Sequence, residues 1–350
     1  MLSKIKTIDK ILFAKHLSLM LTSGVSLSQS IAELEDQADS KELKKILKSL
    51  GEDIKKGKSI AGALGKYERD FGSLFINMIK IGEESGTLEE NLKHLAKQLE
   101  GNYELKKKVK GAMIYPTLVL GATLTIGLGL AVFIMPKLLT FFKSMDVELP
   151  LVTRILLASV AHLEKFGIYY FVGLIVFTIL FRLSLRFPKV KLFMHRAMVE
   201  MPIFGKLIKK LNIAYFTRTL GILLKSGVTI VEALDISATT LGNLAYREAL
   251  RDASSKLKRG EGLSVFLKKL PRLMPSMVAK MVQIGEKSGS LEETLFYVAD
   301  FYETEVDSTT KNLSNILEPV LLIVVGLVVG VVAISILMPI YQFTSQIQAG

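Results

Sequence analysis

The segment Ile81-Gly82-Glu83-Glu84-Ser85-Gly86-Thr87-Leu88-Glu89-Glu90 returns almost letter for letter as Ile284-Gly285-Glu286-Lys287-Ser288-Gly289-Ser290-Leu291-Glu292-Glu293. The two lie 203 residues apart, Gly82 against Gly285. That offset also carries Ser23-Gly24-Val25 onto Ser226-Gly227-Val228, Gly57 onto Gly260, Pro116 onto Pro319 and Met135-Pro136 onto Met338-Pro339, with no gap. Fixed-period self-similarity means copies of one structural unit. Each copy here opens in charge-rich sequence and closes in a long apolar stretch. The fold must therefore supply two like bundles, each followed by a segment that avoids water.

Three stretches meet the bilayer criterion of about 17–25 mostly apolar residues. They run from about Pro116 to Met135, from about Phe166 to Phe181 and from about Pro319 to Met338, and none holds a charged residue. The first and third are matched positions of the two copies. The second is short enough to read alternatively as a buried core helix. Met1-Leu2-Ser3-Lys4 opens no long apolar region with a small-residue cleavage site, so no cleaved signal peptide is expected.

Orientation follows from lysine and arginine near the span ends. Lys106, Lys107, Lys108 and Lys110 precede the first span; Arg182, Arg186, Lys189, Lys191 and Arg196 follow the second. Between those spans, Lys137, Lys143, Arg154 and Lys165 are offset by Asp146, Glu148 and Glu164, and residues 340–350 carry no charge. The expected layout is a multi-pass protein with a cytoplasmic N-terminus and an outward C-terminus. A cytoplasmic helical domain (1–111) leads to a first transmembrane helix (112–136). An outward loop with a short amphipathic helix (137–165) leads to the second (166–183). A second cytoplasmic domain (184–317), a third transmembrane helix (318–340) and an outward tail (341–350) complete it. The net charge of +12 concentrates beside the membrane, where anionic lipid headgroups favour it. Acidic residues are interleaved through both soluble halves, so membrane lipid is the expected partner and nucleic acid is not.

Both soluble halves read as helical, giving an all-α fold. Leu88, Leu92, Leu95 and Leu99 form one apolar stripe, and Leu291, Leu295, Val298 and Tyr302 form its copy. The repeated motifs read as helix punctuation. Gly86 and Gly289 suit the left-handed residue that ends a helix. Thr87 with Glu90, and Ser290 with Glu293, have capping-box spacing. Gly24 and Gly227 repeat the stop before Ser26-Leu27-Ser28-Gln29 and Thr229-Ile230-Val231-Glu232. Gly82 and Gly285 belong to the same turns. The carboxylates Glu83, Glu89, Glu286 and Glu292 offer a second reading, as a partner surface or a divalent-cation site, although they lack calcium-loop spacing.

In the apolar segments, Gly326 and Gly330 have the i, i+4 spacing that lets helix backbones approach closely in a bilayer. Pro116 and Pro319 fall at the first turn of their spans, where a missing N–H costs little. Glu318 stands at the water boundary as a capping carboxylate.

Catalytic chemistry is not expected. The chain has no cysteine, which removes thiolate metal sites and a cysteine nucleophile. Gly51-Glu52-Asp53-Ile54-Lys55-Lys56-Gly57-Lys58-Ser59 has one residue too many for a phosphate-binding loop, and it follows a helix rather than a strand. His16, His94, His162 and His195 are scattered, and no cofactor or metal is expected. A transporter or channel subunit stays open as a class, although no ionisable residue falls within the spans. So does a membrane scaffold for signalling.

The residues also resemble a family. Met201-Pro202-Ile203-Phe204-Gly205-Lys206-Leu207 and Phe216-Thr217-Arg218-Thr219-Leu220-Gly221-Ile222-Leu223-Leu224-Lys225-Ser226-Gly227-Val228 are similar to a hallmark stretch of the type II secretion F / type IV pilus platform family. The paired Gly-Glu-x-Ser-Gly-x-Leu-Glu-Glu motifs and the Tyr115-Pro116 and Glu318-Pro319 span starts match it too. Tyr215 departs from it, standing where many members carry arginine. About 12 residues precede the first repeat, where many members carry a longer leader. The resemblance implies an inner-membrane platform protein that forms homo-oligomers. It also implies the partners: a cytoplasmic hexameric assembly ATPase, pilins or pseudopilins, and other inner-membrane assembly proteins. The helices running from Thr87 toward Pro116 and from Ser290 toward Pro319 are then the expected levers.

Overall fold

A computed structural model describes residues 5–134, 137, 151–202 and 204–349. Met1–Lys4, Met135-Pro136, most of the expected outward loop, Ile203 and Gly350 lie outside the described residues. Every regular element among the described residues is helical. The chain divides into two compact units, one of residues 1–108 with 191–309, the other of residues 109–190 with 310–350.

The first unit holds both charge-rich copies. Copy one contains α1 (Thr7–Thr22), α2 (Leu27–Asp36), α3 (Lys41–Lys55), α4 (Ile60–Gly65), the single turn α5 (Glu68–Phe71), α6 (Ser73–Ser85) and the start of α7 (Leu88–Ala112). After the membrane segments come α10 (Pro188–Glu200) and the second copy: α11 (Phe204–Lys225), α12 (Ile230–Thr240), α13 (Leu244–Leu257), α14 (Leu263–Lys268), α15 (Ser276–Ser288) and the start of α16 (Leu291–Ala349). The 203-residue offset superimposes α2 on α12, α3 on α13, α4 on α14 and α6 on α15.

The helix ends explain the repeated glycines. Gly24, Gly57 and Gly86 have φ of 79°, 83° and 71°, and Gly227, Gly260 and Gly289 have 82°, 85° and 72°. All lie in the left-handed region where a side chain is strained. The amide after each of the first two pairs donates back across the turn, for example Val25 N to Met20 O at 3.0 Å and Val228 N to Leu223 O at 3.0 Å. This is the six-to-one closure that satisfies orphan helix carbonyls. The next helix is then capped, by Ser26 on Gln29 N and by Thr229 on Glu232 N.

One apolar cluster runs through both copies of this unit, from Phe13, Leu17 and Phe75 to Phe216, Tyr246 and Phe266. Phe13, Phe71 and Phe75 meet with ring centroids 4.8–5.9 Å apart. Asp53 is the buried charge of copy one, paired with Lys58 at 2.9 Å and Lys66 at 2.5 Å. The bond to Lys66, then that to Lys58, holds its carboxyl down at about 2.

The second unit contains α8 (Ile114–Gly129), a π-helical turn (Leu130–Ile134), α9 (Leu151–Ser184) and the distal part of α16. Three helices are long and apolar enough to cross a membrane, with qualifying stretches in Leu88–Gly129, Lys165–Ser184 and Leu291–Val331. Their large side chains, such as Leu118, Phe177 and Leu327, are exposed, as lipid-facing positions are.

Three local expectations change. The sequence places residues 151–165 in a loop with a short amphipathic helix; in the structure they are the opening turns of α9, continuous with the second span. The sequence puts Pro319 at the first turn of its span; in the structure α16 runs unbroken from Leu291 to Ala349, so Pro319 lies in the interior of a longer helix. There it leaves the Asn315 carbonyl without its i+4 donor. The lever of copy one is interrupted instead: α7 ends at Ala112, Met113 breaks the helix, and Pro116 falls in the first turn of α8.

Candidate functional site

The duplicated motif is a turn in which each residue has a neighbour to serve. A Cβ built on Gly82 would lie 2.8 Å from Leu88 Cα, and one built on Gly285 would lie 2.8 Å from Leu291 Cα. The glycine lets α6, or α15, pass against the first residue of the helix that follows. The next residue reaches the other way. Glu83 Oε1 accepts from Ile60 N at 2.8 Å and Oε2 accepts from Ala61 N at 3.1 Å. In copy two, both Glu286 oxygens accept from Ser264 N at 3.3 Å. A carboxylate at a helix N-terminus satisfies orphan N–H groups and favours the dipole. Copy two depends on it more: α4 also has Ser59 on Gly62 N at 3.0 Å, whereas the matched Gly262 has no side chain to cap α14.

The expected partner-surface role of Glu83 and Glu286 therefore gives way to an internal one, because their oxygens are occupied by backbone N–H groups of the same chain. The capping boxes also differ from expectation. The Thr87 hydroxyl meets Ser85 Oγ at 2.6 Å and accepts from Asn91 Nδ2 at 2.9 Å. Ser290 Oγ meets Ser288 Oγ at 2.6 Å. The hydroxyls tie the turn to itself. Glu90 lies 3.4 Å from His94 Nε2, in ion-pair reach. Burial, then the nearby Lys225 charge, pushes the His94 imidazole below its ordinary range, so that pair contributes little at neutral pH. The Glu89 backbone carbonyl accepts from Ser18 Oγ at 2.7 Å while its side chain is exposed; Glu293 is exposed and Glu292 half-buried. Among the described residues, no group of three or more His, Cys, Asp or Glu is placed to hold a metal ion.

A second cluster lies where the two copies meet. Gln98 Nε2 on α7 donates to Thr219 Oγ1 on α11 at 3.0 Å, fully buried. The Tyr215 hydroxyl donates to the Asn102 carbonyl at 3.2 Å, and Lys106 Nζ lies 5.9 Å from its ring centroid. Burial pushes the Tyr215 hydroxyl well above its ordinary range, so it stays a neutral donor. Beside it, Arg218 bonds Asp300 and, at 2.9 Å, Glu303, with its guanidinium 5.8 Å from the Phe296 ring centroid. The matched pair in copy one is Lys15 with Glu100 at 3.8 Å, a single weak pair where copy two has a fork. Lys210 joins Glu305 at 2.6 Å and Thr309 at 2.8 Å, and Lys108 joins Asp307 at 3.0 Å. Repeat arithmetic alone does not find these residues. Their signal is the opposite: positions where the copies differ in chemistry, Gln98 against Phe301 and Thr219 against His16.

In copy two, a groove of about 630 Å³ opens between α10, α13 and α14. Its charges are paired with each other or with the rim: Arg196 with Glu248 at 3.7 Å, Arg272 with Glu200 at 3.3 Å, and Lys269 with Glu261. Such a lining offers no converging, unpaired acid, base or nucleophile. In the second unit, a Cβ at Gly326 or Gly330 would meet nothing within 4 Å.

The family model for the type II secretion system (T2SS), protein F, matches this chain twice, over residues 13–136 and 216–339. The chain belongs to the type II secretion system protein F family. The two matched segments are spaced by the same 203 residues as the duplicated turns. The chain's relatives include proteins named for type IV pilus assembly and proteins named for type II secretion. The type IV pilus assembly protein PilC of Thermus thermophilus is 35% identical over 334 residues, which is 95% of this chain and 82% of the relative. PilC of Pseudomonas aeruginosa is 31% identical over 340 residues, covering 97% and 91%. The type II secretion system protein F of Vibrio cholerae is 28% identical over 341 residues, covering 97% and 84%. Matches of this extent favour neither a transporter or channel subunit nor a signalling scaffold. They agree with the resemblance drawn from the hallmark stretch.

Proposed function

We propose that this chain is the inner-membrane platform of a type IV pilus or type II secretion assembly machine. In this reading it couples a cytoplasmic assembly ATPase to the polymerisation of pilins or pseudopilins. The observation that carries it is the match of nearly the whole chain, 95–97%, to relatives named for pilus assembly and for type II secretion. Three helices apolar enough to cross a membrane support the location. The lysine and arginine distribution supports a cytoplasmic N-terminus and an outward C-terminus. The function is mechanical, and the chain contributes no catalysis of its own. It works as a homo-oligomer, with other inner-membrane assembly proteins and membrane lipid around it, and Gly326 and Gly330 give its third span a face for close helix approach.

Force delivered to the cytoplasmic bundles travels along α7 and α16, the helices that leave the duplicated turns. The motif residues Gly82, Gly86 and Thr87, with Gly285, Gly289 and Ser290, fix where each lever starts. Inserting two or three glycines beside Lys106 gives each added residue the backbone freedom that helices exclude. Fibre assembly or secretion is then lost while membrane insertion persists; normal fibres from that variant would sink the lever. Co-purification with the assembly ATPase tests the partner. Reporter fusions at positions 145 and 348 test the outward placement of both segments.

A further inference from the structure

The contact between the two copies is one-sided. Copy one contributes α6 and α7; copy two contributes α11 and α12, with Asp307 of α16 joining Lys108 beyond them. Besides Gln98–Thr219 and Tyr215–Asn102, Ser73 Oγ meets Thr239 Oγ1 at 2.5 Å and Ser226 Oγ lies 3.8 Å from Met78 Sδ. Helix α6 packs along α12. Among the described residues, the reciprocal packing of α2 along α15 is not made to a comparable extent. Two units related by a dyad would make both. This is a head-to-tail contact, and it leaves one matched face open at each end.

Those open faces retain apolar side chains. At the end formed by copy one, Leu19 is 65% exposed, whereas its counterpart Ile222, in the seam, is 6% exposed. Leu12 and Ile8 are exposed along the same helix. At the other end, Phe301 is 39% exposed, whereas its counterpart Gln98 is 3% exposed. Ile284 and Tyr297 are exposed beside it. Leu12, Leu19, Tyr297 and Phe301 thus stand at positions whose counterparts, Tyr215, Ile222, His94 and Gln98, lie in or beside the seam. A monomer gains nothing from apolar residues there.

The charges on the two faces are complementary. In the seam, Ser73 of α6 meets Thr239 of α12; one helical turn along, α6 carries Asn77 and α12 carries Ile236. At the same register, α15 carries Ser276 and Lys280, and α2 carries Glu33 and Asp36. These four seam positions are neutral, whereas their counterparts put a lysine on one open face and two carboxylates on the other. Glu33 accepts from Gln37 at 2.7 Å and keeps a second oxygen.

We propose that α15 and the opening turns of α16 in one copy of this chain dock onto α1 and α2 of the next copy, continuing the internal seam from molecule to molecule. Lys280 then meets Glu33 of its neighbour, and Ile284, Tyr297 and Phe301 cover Leu19 and Leu12. In the proposed topology both copies enter the membrane from the same side. A head-to-tail contact of this kind adds copies one after another and closes into a ring where its rotation allows. This inference rests on the platform reading for the presence of neighbouring copies, and adds the surfaces by which they associate.

The absence of cysteine makes disulfide trapping in membranes of the full chain a clean test. Ser73→Cys with Thr239→Cys is the internal control and closes within one chain. Ser276→Cys with Asp36→Cys occupies the matched positions of the open faces, and mild oxidation yields a ladder of crosslinked multimers. Either substitution alone yields no ladder. Lys280→Glu on that background lowers the crosslinked fraction several-fold, and adding Glu33→Lys restores it. No ladder from the double variant while the control closes would overturn the proposal. So would efficient dimers from either single variant, which mark a two-fold contact, or failure of the charge swap to restore crosslinking. The readout does not depend on fibres, so an intact ladder in cells that make no fibre counts against the assembly reading alone.

Discussion

Gly285 stands so close to Leu291 that a methyl group added to it would lie 2.8 Å from the Leu291 Cα. The same methyl would collide with the Thr294 hydroxyl, whereas at Gly82 the corresponding neighbour is Asn91 at 3.1 Å. Gly82→Ala and Gly285→Ala are therefore both destabilising, by about 1–3 kcal/mol as for an overpacked core, with Gly285→Ala the worse. Thermal unfolding of the purified full chain in detergent, followed by circular dichroism, checks the order. Equal melting temperatures for Gly285→Ala and the parent chain would contradict the close approach.

Glu83 and Glu286 hold backbone amides of α4 and α14. Removing such a cap costs about 0.5–2 kcal/mol. Glu286→Ala costs more than Glu83→Ala, because Ser59 still caps α4 while α14 starts at a glycine. Glu89→Ala, whose side chain is exposed, leaves stability unchanged. Three melting curves decide the matter, and a destabilised Glu89→Ala with an unaffected Glu286→Ala would reverse the assignment.

Gly86 and Gly289 have φ of 71° and 72°, with nothing within 4 Å of an added Cβ. The penalty for a side chain there is conformational rather than steric crowding by neighbours. Gly86→Ala costs about 1–2 kcal/mol, Gly86→Val more because it is β-branched, and Gly86→Asn the least. Denaturant midpoints for the three variants should fall in that order.

Asp53 gives copy one an acid-sensitive joint. Its carboxyl is held at about 2 in the folded chain, against roughly 3.9 when unfolded. Protonation therefore favours unfolding. The stabilisation is complete above about pH 4 and is lost as pH falls from about 4 toward 2. Asp53→Asn lowers the melting temperature at neutral pH, and its deficit relative to the parent narrows on acidification across that range. A deficit independent of pH would refute the paired carboxylate. The matched residue in copy two is Lys256, 3.0 Å from Asp252, so the effect belongs to copy one.

The repeat, the helices and the left-handed stops at Gly24, Gly86, Gly227 and Gly289 are visible in the sequence because each depends on residues within a turn or two of itself. The use of Glu83 is not. Its amide partners lie 22 and 23 residues back in the chain, and only the packing of α4 on α6 brings them together. Pro319 misleads for a related reason. Proline marks a helix start only where no stronger tendency carries the helix past it, and the apolar run after Glu318 does so. The Gln98–Thr219 contact is invisible to any argument that looks for likeness between copies, since each residue has lost its counterpart's character.

The buried Gln98–Thr219 contact joins surfaces that are tethered by a single polypeptide. Tethering turns association into an intramolecular event, whose effective concentration does not depend on how much protein is present. The junction inside the chain therefore forms at any level of the protein. Its charged counterpart between molecules has no such help. It answers to the surface density of the protein in the bilayer and to ionic strength, and it comes apart without any part of the chain unfolding.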